Sequence, residues 1–257
     1  MENSVKSVSS IIKIFNSPEE FQKGCTNYIV NIILECINSY GRCTIALSGG
    51  STPKSIYKLL GSVEYLSRIP WENIYLFWGD ERCVPPFDPD NNFKMVDETL
   101  TSKVPIPSQN IFRIHSEETP LEAANDYENT LRSFFSNNTF PSFDIMLLGL
   151  GEEGHTASLF PGSTAMDENQ RWVVSTYVEK LKAYRITLTF PVINSAKHII
   201  FLVAGSNKAE ILKNIFADDQ NNIPAKKVRP NNGKLTWLLD KDAASLLDIE
   251  DKLFSCK

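Results

Sequence analysis

Residues 43–60, CTIALSGGSTPKSIYKLL, decide the fold class. Cys43–Leu47 is an almost unbroken apolar run, the pattern of a strand buried on both faces. Gly49 and Gly50 follow, then Thr52 as a candidate cap, Pro53 in a place suited to the first helical position, and the helical pattern KSIYKLL. A buried strand, a glycine turn and a helix make half of a βαβ unit. The pattern recurs. Asn73–Trp78 (NIYLFW), Phe143–Leu148 (FDIMLL) and residues 198–204 read as buried strands, and helices are expected near 18–38, 92–101, 119–135 and 207–217. Further strands are expected at 11–15, 111–114, 171–177 and 185–190, with a strand-helix pair around 235–247. Such alternation predicts an α/β protein: a single doubly wound, mostly parallel sheet with helices on both faces, residues 1–257 forming one domain. The Asn- and Pro-containing stretch 218–234 reads as a surface loop.

Composition excludes other classes. The 257 residues are 42% hydrophobic and 22% charged, which is average for a globular protein and wrong for a disordered tail, a collagen or a coiled coil. With 26 basic and 31 acidic residues the net charge is −5, and no basic run exceeds Lys226-Lys227, so a nucleic-acid partner is not expected. A small anionic ligand stays open, because a few cations in one pocket hardly move the total. Cys25, Cys36, Cys43, Cys83 and Cys256 contain no CxxC pair and read as free thiols of a reducing compartment. The N-terminus has no apolar leader, and no window approaches the ~20 apolar residues of a membrane span. The expectation is a cytoplasmic protein without a membrane partner.

Open α/β sheets bind ligands at the carboxyl ends of their strands. After CTIAL, the backbone of Ser48–Lys54 can approach an anion while the helix dipole favours negative charge; the spacing is not that of a Walker A loop. After NIYLFW comes Gly79-Asp80-Glu81-Arg82, either a solvated turn or a pocket wall in which Arg82 meets an anionic oxygen. After FDIMLL, residues 149–154 match GxGxxG, but Phe160-Pro161-Gly162 leaves no room for the long helix a dinucleotide site requires. The turn reads instead as a device that delivers His155, the side chain suited to a base near neutral pH. His115 follows a strand with a surface or capping role expected, and His198 starts a strand as a structural residue. Lys180, Lys182, Arg185 and Lys208 read individually as surface charges, but Arg185 and Lys208 could complete an oxyanion clamp. No metal site is expected from so few histidines and such scattered cysteines.

LSGGSTP (47–53), WGDERCVP (78–85), the helix start Asn91-Asn92-Phe93, DIMLLGLGEEGHTASLFPG (144–162), RITLTFPVINSA (185–196) and VAGSNKAEIL (203–212), in this order, resemble the glucosamine-6-phosphate isomerase/6-phosphogluconolactonase superfamily on its lactonase side. The resemblance implies a NagB/RpiA-like fold and hydrolysis of 6-phospho-D-glucono-1,5-lactone to 6-phospho-D-gluconate in the oxidative pentose phosphate pathway. It implies no metal, no organic cofactor, a sugar-phosphate substrate and functional coupling to glucose-6-phosphate dehydrogenase. Carried to matching positions, it makes His155 the general base on water. Gly49, Gly50, Ser51 and Thr52, with Arg185 and Lys208, would hold the 6-phosphate, while Asp80 and Arg82 would line the sugar pocket. The superfamily usually has Asp-Gly-His where this chain has Glu153-Gly154-His155. Either the longer carboxylate touches the imidazole or it points to solvent; a minor role is the expectation.

Two rival functions follow from related sequences. Amino-sugar-phosphate isomerase/deaminases continue the GH turn with an acid five residues after the histidine, where this chain has Phe160. Non-catalytic sugar-phosphate sensors need a DNA-binding extension, and no basic helix-turn-helix precedes residue 40.

Overall fold

In the computed structural model, which describes residues 10–136, 139–217 and 222–248, the apolar runs become the middle of a sheet. The strands are β1 (Ile11–Phe15), β2 (Cys43–Leu47), β3 (Ile74–Trp78), β4 (Asp80–Arg82), β5 (Ile111–Phe112), β6 (Ile145–Leu148), β7 (Val173–Val178), β8 (Ala183–Leu188), β9 (His198–Val203) and β10 (Lys234–Asp240). The helices are α1 (Pro18–Tyr40), α2 (Ser51–Leu60), α3 (Val63–Leu66), α4 (Asn92–Thr99), α5 (Pro120–Phe135), α6 (Phe190–Asn194) and α7 (Ala209–Phe216).

Seven strands form one sheet in the order β1-β10-β9-β6-β2-β3-β5, and every neighbouring pair is parallel. The chain leaves β2 toward β3 and β5, then returns to place β6 on the other side of β2. This reversal is the switch point of a doubly wound α/β sheet, and a crevice opens there beyond the strands' carboxyl ends. The loops after β2 and β6, already marked in the sequence by their glycines, both enter it. At the other end of the strands, the buried Asp144 carboxylate accepts from the Thr44 amide and hydroxyl, both at 2.8 Å, and pairs with Lys197 at 2.8 Å. It ties β2, β6 and the start of β9 together, leaving the crevice free of that fastening.

Beyond the main sheet, β4, β8 and β7 form a separate antiparallel sheet that the alternation does not reveal. Tyr177 and Tyr184, paired near the tip of the β7–β8 hairpin, are exposed, while Val173, Ile186 and Leu188 on the same face nearer its base are buried, so the hairpin base is covered and its tip is wet. Other boundaries also move. The strand expected at 111–114 covers only Ile111–Phe112, and residues 241–246 form turns in place of the final helix. Of the loop expected at 218–234, residues 218–221 lie outside the described residues. The remainder is not merely surface: Ile223, Ala225 and Val228 are buried.

Cys25, Cys36, Cys43 and Cys83 are free thiols, the first three buried; Cys256 and the N-terminal residues 1–9 lie outside the described residues. No helix among the described residues is long and apolar enough to cross a membrane.

Candidate active site

A cavity of about 410 Å³ occupies the switch point. His155, Gly49, Gly50, Ser51 and Thr52 line it, as do Asp80, Arg82, Arg185 and Lys208, so every site residue expected from the sequence meets around one space.

One wall is the turn into α2. Gly50 has φ +102, a conformation open to glycine and strained for other residues, and no side chain caps the helix. The helix begins at Ser51, so Thr52 lies inside its first turn, not at the cap expected from its type, and Pro53 is third, not first. Lys54 is the first residue to donate back, to the Gly50 carbonyl at 3.1 Å. The earlier amides of a helix have no intrahelical acceptor and favour an anion. Gly49 is required for another reason: a side chain there would collide with Asn92, its Cβ lying 2.0 Å from Oδ1. The Ser48 hydroxyl, on the same wall, is buried and has no hydrogen-bond partner.

The second wall is the small sheet. Arg82 of β4 and Arg185 of β8 are direct cross-strand partners. Like charges in such a pair repel, and burial together with Arg82 holds the Arg185 guanidinium below its usual range. Arg185 Nε is buried without a partner, while Arg82 donates to the Asp90 carbonyl. Asp80 accepts from the Ser158 hydroxyl at 2.6 Å. With Lys208, ahead of α7, the cavity carries three side-chain cations and one carboxylate. The arrangement suits an anion.

The third wall is the turn after β6. Gly151 donates to the His155 carbonyl at 2.9 Å and Gly154 to the Gly151 carbonyl at 3.0 Å. Gly154 has φ +82, and its missing side chain leaves room for Ile223, which would sit 2.3 Å from a Cβ. Gly151 leaves room for the imidazole itself, whose Nδ1 would be 2.0 Å from a Cβ. The glycines of the GxGxxG match therefore build the histidine's seat. No helix follows; Ala157 takes a left-handed φ of +47, and the segment stays irregular to Ser163.

His155 Nδ1 lies 3.2 Å from Oε2 of Glu153, whose Oε1 is 3.2 Å from Lys180 Nζ. Of the two geometries left open by the sequence, the structure has the one in which the carboxylate reaches the imidazole: the extra methylene lets it span imidazole and ammonium. Nδ1 meets no partner at good hydrogen-bond geometry, and the carboxylate beside it favours the protonated form of the ring. Nδ1 is buried, so Nε2 is the nitrogen presented to the cavity. Burial pulls the imidazole pKa below its ordinary 6.5 and Glu153 only partly restores it, so the ring is neutral at pH 7.

Some features carried no local signal in the sequence. Glu81 is fully buried, and its two oxygens accept from the amides of Arg82 (2.8 Å), Asn92 (2.7 Å) and Phe93 (2.8 Å). It thereby caps α4 and fixes Asn92, whose amide donates to the Asp80 carbonyl at 3.0 Å. Nothing in the tetrapeptide GDER distinguishes this buried acid from its neighbours. Sequence motifs assign Ser158 no role and mark Phe160 only as a helix break and a missing acid; Phe160 stacks on His155 with centroids 4.0 Å apart. Of the weaker candidates, His115 pairs with Asp126 at 3.0 Å, His198 opens β9, and Lys182 occupies the β7–β8 turn; none of them lines the cavity. Among the described residues, no group of three or more His, Cys, Asp or Glu side chains could hold a metal ion.

The family model described as glucosamine-6-phosphate isomerases/6-phosphogluconolactonase matches residues 16–237. The chain is 40% identical to a 6-phosphogluconolactonase of Nostoc sp. over 218 residues, covering 83% of this chain and 88% of that one. It is 38% identical to the chloroplastic 6-phosphogluconolactonase 3 of Arabidopsis thaliana, over 92% of this chain and 75% of the relative. The solved 6-phosphogluconolactonase of Trypanosoma brucei superposes with a TM-score of 0.84 at 31% identity, covering 94% of this chain and all of that one. The chain belongs to the glucosamine-6-phosphate isomerase/6-phosphogluconolactonase family.

Proposed function

We propose that the chain hydrolyses 6-phospho-D-glucono-1,5-lactone to 6-phospho-D-gluconate, the lactone step of the oxidative pentose phosphate pathway. The observation that carries this reading is the meeting of a neutral, buried-edge imidazole with three cations and an uncapped helix start in one cavity. The 6-phosphate sits against the amides of the Gly49–Thr52 turn, between Arg185 and Lys208, and Asp80 and Arg82 line the sugar. Held there, the lactone presents its carbonyl carbon to a water beside His155 Nε2.

Nε2 takes one proton as the water oxygen bonds to the carbonyl carbon. The imidazolium so formed is stabilised by Glu153 at Nδ1. The carbonyl oxygen becomes an oxyanion facing Arg82 or the loop amides. Collapse breaks the ring C–O bond, and the leaving oxygen recovers the proton from His155. Lactone and water thus give one hydroxy acid, with no covalent enzyme intermediate and no serine nucleophile. Isomerisation of an amino-sugar phosphate would need a second proton carrier. Among the described residues the only carboxylate lining the cavity, Asp80, already accepts from Ser158.

In this reading residues 1–257 work as one cytoplasmic domain, fed by glucose-6-phosphate dehydrogenase, with no nucleic-acid or membrane partner. Arg185→Ala and Lys208→Ala are each expected to raise KM for the lactone by about 10–150-fold, the weight of one charge-assisted contact of about 1.5–3 kcal/mol, while kcat changes less. Lactone generated in situ and followed by proton release measures both constants. Unchanged KM in both variants would contradict the phosphate assignment. Turnover of glucosamine 6-phosphate without lactone hydrolysis would replace the proposed reaction by that of the isomerase branch.

A further inference from the structure

The His155 ring has a neighbour that the mechanism does not use. Phe160 lies five residues on, at the end of the irregular segment, and is 9% exposed. Its ring stacks on the imidazole at 4.0 Å between centroids, with 22° between planes. The segment between them is pinned at three points. Thr156 Oγ1 donates to the Gly149 carbonyl at 3.0 Å, Leu159 donates to the Thr156 carbonyl at 3.0 Å, and the Ser158 amide donates to Thr187 Oγ1 at 3.2 Å. The segment carrying Phe160 is therefore held by hydrogen bonds that do not involve the imidazole.

The histidine's other neighbours meet its edge, not its face. Gly151 seats the Nδ1–Cε1 edge, whose atoms lie 2.0 and 2.1 Å from where a Cβ would stand. Glu153 comes within 3.2 Å of Nδ1 but not at good hydrogen-bond geometry. Its other oxygen is shared with Lys180, a largely exposed side chain. A charge attracts from a range of angles, whereas a nearly parallel stack fixes a plane. We propose that Phe160 is a positioning residue for lactone hydrolysis: it sets the plane of His155, so that Nε2 is aimed at the attacking water, and it keeps bulk water from that ring face. This rests on His155 being the base.

The charged groups around the imidazole are Glu153 on its own turn, Lys180 from the β7–β8 hairpin behind it, Asp80 from β4 and Lys208 ahead of α7. Phe160 adds no charge to this set. Its removal therefore acts through orientation, solvent access and the shape of the cavity wall, not through charge.

The test compares Phe160→Leu, Phe160→Ala and Phe160→Tyr with the wild-type chain. Phe160→Leu keeps an apolar side chain without a ring and is expected to lower kcat about tenfold or more with KM within about threefold, because a small misplacement of a reacting group is costly. Phe160→Tyr keeps the ring and is expected to stay within about threefold of wild type. Phe160→Ala admits water, so the acid limb of the kcat/KM profile moves upward, toward the ordinary histidine value of about 6.5. Proton NMR gives a second readout of orientation: close contacts between the His155 ring and Gly151 are expected in wild type and Phe160→Tyr and weakened in Phe160→Leu. A folded Phe160→Leu with wild-type kcat, or one whose His155–Gly151 contacts are unchanged, would overturn the proposal. If the wild-type chain did not hydrolyse the lactone at all, the functional reading would fail first; the contact measurement would still report on the stack.

Discussion

Replacing His155 by Ala is expected to lower kcat by roughly 10²–10⁴-fold, the usual worth of a positioned general base, with KM within a few fold. The cations and amides proposed to bind the phosphate belong to other loops, so ligand affinity survives while proton removal from water does not. The side chain is partly exposed and stacks only at its own turn, so the fold is retained. The pH profile of the wild type carries the same information. Burial lowers the folded-state imidazole pKa, so the base is deprotonated from below pH 6.5 upward. The acid limb of kcat/KM therefore falls below pH 6.5 and is absent in His155→Ala. Rate measurements from pH 4.5 to 8 with circular dichroism at each pH check both; near-wild-type turnover in the variant would remove the mechanism.

The largest loss of stability is expected at Glu81, not at a residue facing the ligand. Three amides point at its carboxylate inside the protein, and Glu81→Ala leaves all three without an acceptor. At about 1–3 kcal/mol for each buried unsatisfied group, the cost is at least about 3 kcal/mol. For a chain of this size that is a Tm lower by roughly 6–12 °C, which calorimetry at pH 8 resolves. Glu81→Gln retains one good acceptor but turns an amide donor toward at least one backbone N–H, and should fall between. Burial pushes the Glu81 carboxyl up to about 7, against the pull of the three amides. Because the folded pKa lies above the unfolded value of 4.5, the folded state holds the proton longer. The Glu81 contribution to stability is therefore greatest below pH 4.5 and falls as the pH rises through 7. Glu81→Gln should flatten that part of the wild-type profile.

The sheet was legible because buried parallel strands announce themselves. CTIAL, NIYLFW and FDIMLL have too few polar residues to face water, and they form β2, β3 and β6 at the centre. The antiparallel sheet was not legible as a separate layer, because β4 is three residues long and its partners β8 and β7 follow about a hundred residues later. Glycines marked the site well: Gly50 and Gly154 have positive φ, and Gly49 and Gly151 admit Asn92 and His155. A glycine declares a backbone need within its own neighbourhood. Glu81, Ser158 and Phe160 gain their roles only from distant or turned-back partners, which no local pattern encodes. Glu153 shows what the sequence left open. Rotamer entropy argued for a loose side chain, but Lys180, carried by a hairpin of the other sheet, supplies the second charge that anchors it.

The central claim is that this cationic cavity holds a phosphate so as to set the lactone carbonyl beside His155. The ratio of kcat/KM for 6-phospho-D-glucono-1,5-lactone to that for unphosphorylated D-glucono-1,5-lactone tests it most directly. With two cations contributing about 1.5–3 kcal/mol each, the phosphorylated lactone should be preferred by at least about a hundredfold. Equal values for the two lactones would contradict the account.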